Sequence, residues 1–85
     1  MPTYLVESYT PPSRANHHAD RAKRIARAAA ALGREGIRVE HRRTTFLADD
    51  DTTFYLFEAP SPTSIGELCR RAGLGRVRIV HALET

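Results

Sequence analysis

Glu7 and His41 are the two side chains whose types combine best for chemistry. Imidazole is a common ligand of nickel, copper and zinc, and a carboxylate can orient the ring or bind the metal itself. The same two groups could act as general acid and base, because histidine titrates near neutral pH. A purely structural alternative pairs Glu7 with Arg43 across a sheet or a subunit seam. The remaining histidines carry weaker signals. His17 and His18 are adjacent, so on a helix they point about 100° apart and do not readily grip one ion; in a loop they could. A helix cap at Asn16 would set them at the positive end of the helix dipole, which keeps the rings neutral and able to ligate. His81 alternates with apolar neighbours and reads first as a core or interface histidine.

Other reactive types resolve into simpler roles. Asp49, Asp50 and Asp51 lack the alternating oxygen ligands, glycine and later glutamate of a calcium loop, so they read as a solvated hairpin tip. Cys69 has no CxxC partner and falls on an apolar helix stripe, where cysteine behaves as a small hydrophobe. Tyr9, Tyr55 and Phe57 could line a ligand pocket, or stack bases as RNA-binding sheets do, with arginines holding phosphates. Against nucleic acid, the basic-Gly-aromatic-Gly signature is missing, and Glu7 and Glu58 add negative charge. The sequence has no phosphate-cradling glycine loop, no HExxH and no serine nucleophile elbow.

These groups need elements to position them. Thr3–Tyr9 alternates as a strand, with Tyr4, Val6 and Ser8 on one face and Leu5, Glu7 and Tyr9 on the other. Pro11 and Pro12 end it. A helix is expected over about Ala15–Leu32, with an inner stripe of Ala19, Ala22, Ile25 or Ala26, Ala29 and Leu32. Ser13 or Asn16 caps its start and Gly33 ends it. Asp20 and Arg24 are a favourable pair one turn apart. Ile37–Leu47 reads as a long edge strand. Ile37, Val39, His41, Arg43 and Thr45 are expected on one face, and Arg38, Glu40, Arg42, Thr44 and Phe46 on the other. Thr53–Ala59 is the most apolar stretch and is expected to be central. Ser61 caps a second helix with Pro62 in its first turn; Ile65, Leu68, Cys69 and Ala72 form its inner stripe, and Gly73 stops it. Arg76–Leu83 is the last strand.

Strand, helix, strand, strand, helix, strand with right-handed crossovers is the ferredoxin-like α+β arrangement, a four-stranded antiparallel sheet with both helices on one face. The whole chain, residues 1–85, forms one such domain. The other sheet face is bare. On the simplest phasing it carries Leu5, Glu7, Tyr9, Val39, His41, Tyr55 and Phe57. A bare apolar face calls for a partner, and a second copy stacked sheet to sheet is the expected one.

Composition narrows the classes. Apolar residues make up 41% and charged residues 27%, a globular balance. No apolar run is long enough to span a membrane, and no secretory signal is visible. One cysteine excludes an intrachain disulfide and a cysteine-rich zinc site, so a reducing, cytoplasmic location is expected. The net charge of +3 comes almost wholly from arginine, and alanine is equally abundant, a compositional habit more than a polyanion-binding face.

In order along the chain, MPTYLVES, IRVEH, TFYLFEAP and RRAGLGRVRI resemble the domain-of-unknown-function family numbered 4242, small proteins that include a nickel-binding member. The resemblance implies a ferredoxin-like chain pairing into a dimeric α/β barrel, with a divalent transition metal such as nickel as candidate cofactor. Glu7 matches the acid of the family's first strand and His41 the histidine of its second. Arg70, Arg71, Gly73 and Arg78 also fall on family positions. Tyr55 stands where the family has cysteine, Leu68 where it has a helix histidine, and His81 where it usually has an acid. The implied metal set is therefore Glu7, His41 and His81. The expected function is a small intracellular homodimer that binds a metal or small ligand without turnover, its pocket lined by Glu7, His41 and Tyr55. The alternatives are a dimeric α/β-barrel enzyme acting on a small organic molecule, with His41 and Glu7 transferring protons, and a single-stranded nucleic-acid-binding module.

Overall fold

The computed structural model describes residues 1–9 and 18–83. Six regular elements follow in the expected order: β1 (Thr3–Tyr9), α1 (His18–Arg34), β2 (Glu40–Leu47), β3 (Thr52–Glu58), α2 (Pro62–Ala72) and β4 (Val77–Ala82). They build a four-stranded antiparallel sheet of order β2-β3-β1-β4 with two helices, the ferredoxin-like α+β fold. β3 and β1 are central, as the apolar β3 sequence demands, and charged β2 is an edge. Pro11, Pro12, Ser13, Asn16 and His17 lie outside the described residues, so the expected strand stop and helix caps there are not described.

One core lies between sheet and helices. Val6, Phe57, Ile25, Leu32, Ile65 and Leu68 are wholly buried in it. The α1 stripe is Ile25, Ala28 and Leu32, with Ala29 beside it. Ala19 and Ala22 are exposed, because the apolar face turns about one residue away from the expected alanine register. The α2 stripe is as expected: Ile65, Leu68, Cys69 and Ala72 are all buried. A short 3₁₀ turn at Ala48–Asp50 joins β2 to β3.

Helix ends follow from local chemistry. The Ser61 hydroxyl accepts the Ser64 N–H at 3.3 Å, and Pro62 occupies the first turn. Gly73, at φ 66°, closes α2: its N–H donates to the Arg70 carbonyl, and the Leu74 N–H donates to Cys69. The expected stop of α1 at Gly33 is corrected. The helix runs on to Arg34, and Gly36, at φ 87°, supplies the left-handed residue, with the Ile37 N–H returning to the Leu32 carbonyl. A Cβ on residue 73 would also come 3.0 Å from the Arg24 guanidinium, which donates to the Gly73 carbonyl. Gly73→Ala is therefore expected to cost about 1–2 kcal/mol in denaturant unfolding, the left-handed penalty of a side chain.

Arg71 ties the two helices together. It donates to both Glu35 carboxylate oxygens, at 2.6 and 2.9 Å, and to Glu67 at 2.9 Å, while Arg70 also holds Glu67. The hydrogen bonds from Arg70 and then Arg71 pull the Glu67 carboxyl down to about 2. A carboxylate whose pKa is lowered by folding stabilises the native state above its unfolded value and loses that contribution as pH falls. Stability is thus expected to decline between about pH 4.5 and 2, and Glu67→Gln is expected to flatten that decline in acid-titrated thermal melts.

Candidate functional site

Strand register assigns every side chain to a face. The cross-strand row His41, Phe57, Tyr4, His81 and the row Tyr55, Val6, Ile79 point into the helix layer. The rows Leu56, Leu5, Val80 and Phe54, Glu7, Arg78 point away from it. The expected placement of Leu5, Glu7 and Tyr9 on the bare face holds. That of Val39, His41, Tyr55 and Phe57 is corrected, because all four lie on the helix side. Val39, Tyr55 and Phe57 are core residues at 7%, 2% and 0% exposure.

Two physical causes account for the correction. Both faces of β3 are apolar, so alternation alone does not choose between Tyr55 with Phe57 and Phe54 with Leu56. The pairings Tyr4↔Phe57 and Val6↔Tyr55 make the choice. In β2, a bulge shifts the register between His41 and Arg43: Arg43 pairs with Leu56, and Arg42 is the extra residue of the ladder. An extra residue inverts the alternation beyond it. His41 and Thr44 consequently share the helix side, and Arg42 and Arg43 share the open side.

The proposed ligand set is therefore divided. Glu7 is on the open face, while His41 and His81 are on the other, at opposite edges of one row with Phe57 and Tyr4 between them. Three strand spacings of about 4.8 Å separate those edges. These three side chains do not fit the donor set of one ion within a chain. Among the described residues, no group of three or more His, Cys, Asp or Glu side chains is placed to hold a metal. Nor do Glu7 and His41 meet as an acid–base pair, because the sheet stands between them. The pocket expected from Glu7, His41 and Tyr55 is likewise not assembled.

His41 has local partners instead. Its Nε2 lies 2.7 Å from the Thr44 hydroxyl and 3.2 Å from the Arg43 carbonyl, and its ring packs on Phe57 at 5.2 Å. Burial lowers its pKa, favouring the neutral ring. His81 lies against Tyr4 and His18 against Phe46, with ring centroids 5.3 and 4.3 Å apart. Cys69 is buried, and burial pushes its thiol up to about 11, which suits a packing role.

The open face gains what the covered face keeps from it. Leu5, Phe54, Leu56 and Val80 are half-buried there, and no helix among the described residues lies over them. Glu7 and Arg78 are direct cross-strand neighbours beside this strip. Tyr9 is 62% exposed at its end. With Tyr55 and Phe57 buried, the expected base-stacking trio is reduced to Tyr9. Phe54 and Leu56 were not singled out by sequence reasoning. Their signal was their in-phase spacing on β3, which needed the β1 register to be read.

No family model, curated protein or solved structure matches the chain. No helix among the described residues is long and apolar enough to cross a membrane.

Proposed function

We propose that this chain is a self-associating, small-ligand-binding module. Two copies stack open face on open face, and the ligand site lies on that face. The observation that carries this reading is the strip of Leu5, Phe54, Leu56 and Val80 on a sheet face that no helix among the described residues covers. A one-sided core in an 85-residue chain leaves apolar surface that a second copy would remove from water. The charges beside the strip are of both signs, Glu7 and Glu58 against Arg43 and Arg78, so a two-fold axis can bring each sign to its opposite. The colinear likeness to family 4242 points the same way, toward a dimeric α/β barrel. A role without turnover is preferred because the sheet separates the two proton-transfer candidates. Sedimentation equilibrium tests self-association: a mass near twice the 9.5 kDa of the chain supports it, and 9.5 kDa at micromolar concentration overturns it.

A further inference from the structure

The β2 bulge has a second consequence. Ordinary alternation would place Arg42 and Arg43 on opposite faces; the bulge turns both onto the open one. There they line a cavity of about 210 Å³ together with Thr3, Leu56 and Glu58. This is smaller than the roughly 300–1,000 Å³ of clefts that take drug-sized ligands.

The charges in and around the cavity do not cancel. Arg42 is shared loosely, at 3.5 Å from Glu40 and 3.7 Å from Glu58. Glu40 is already held by Arg38, which keeps its carboxyl ionised. The Arg43 guanidinium has no hydrogen-bond or ion-pair partner among the described residues. Three arginines thus face two carboxylates, leaving one positive charge on a planar fork in a mainly polar cleft whose one apolar residue is Leu56. That fork suits a carboxylate bound through two oxygens. Leu56 offers apolar contact, and Glu58 accepts hydrogen bonds.

We propose that this cavity binds a small hydroxycarboxylate monoanion: carboxylate on Arg43 with Arg42 beside it, hydroxyl donating to Glu58, carbon skeleton on Leu56. The inference rests on the open face being the ligand-bearing surface but does not need the second copy, since one chain supplies all five lining residues.

The test is an amide chemical-shift titration of the protein with lactate, with propionate and with inorganic phosphate, on wild type, Arg43→Gln and Val80→Arg. Lactate is expected to shift the amides of Thr3, Arg42, Arg43, Leu56 and Glu58. Propionate, which lacks the hydroxyl, is expected to bind at least tenfold more weakly, and Arg43→Gln to weaken lactate at least tenfold. Val80 lies two strands from Leu56 and outside the cavity, so Val80→Arg should bind lactate as wild type does even where self-association is lost. Lactate binding in a chain that sediments as a monomer keeps the cavity and removes the stacking. No localised shifts with lactate, or shifts unchanged in Arg43→Gln, overturn the site. Phosphate or propionate binding as tightly as lactate overturns the ligand class.

Discussion

Leu5→Arg is expected to turn the protein into a well-folded monomer. Leu5 sits mid-strip on β1, between Leu56 of β3 and Val80 of β4, on the face away from the helices. In a lone chain an arginine there reaches water, and the core on the other side of β1 is untouched. In a stacked pair it would be buried without a partner, at a cost of about 3–5 kcal/mol for each uncompensated charge. A symmetric dimer carries two, so dissociation should rise by a factor on the order of 10³ or more. Circular dichroism should be unchanged, while the melting temperature should lose the protein-concentration dependence expected of wild type. A dimeric Leu5→Arg protein would count against stacking through this face.

Phe57→Ala and Phe54→Ala should behave as opposites although the residues are three apart on one strand. Phe57 is fully buried beneath the helices, packed by His41 and Tyr55. Truncating it should cost about 3–5 kcal/mol, a large part of the roughly 5–15 kcal/mol that holds a small domain folded. Phe54 is on the open side, so truncating it should spare the stability of the isolated chain and weaken self-association. The clean comparison is urea unfolding of each variant in the Leu5→Arg background, where association no longer contributes. Equal losses for both would mean that the β3 faces are reversed.

The fold was legible because its signals are local and repeated. Ser61 with Pro62 marked the start of α2 and Gly73 its end; β1 alternated over its whole length; the element order left one topology. Site geometry was less legible because it depends on register. Nothing in TFYLFEA states which of two apolar faces meets the helices, and nothing in EHRRTTF states where an extra residue enters the ladder. Those two choices moved His41, Tyr55 and Phe57 away from Glu7 and brought Arg42 and Arg43 together. The metal set implied by family likeness depended on the same phase, so it separated with it. Alanine-rich α1 misled for a related reason: a stripe of small residues tolerates rotation, and Ile25 and Leu32 fixed which residues turned inward.

The most direct measurement is an isotope-filtered NOE experiment on a mixture of ¹³C-labelled and unlabelled chains. Cross-peaks between copies from the Leu5, Leu56 and Val80 methyl groups and the Phe54 ring are the predicted result. Intermolecular cross-peaks confined to the helices, or none in a sample that sediments at 9.5 kDa, would contradict it.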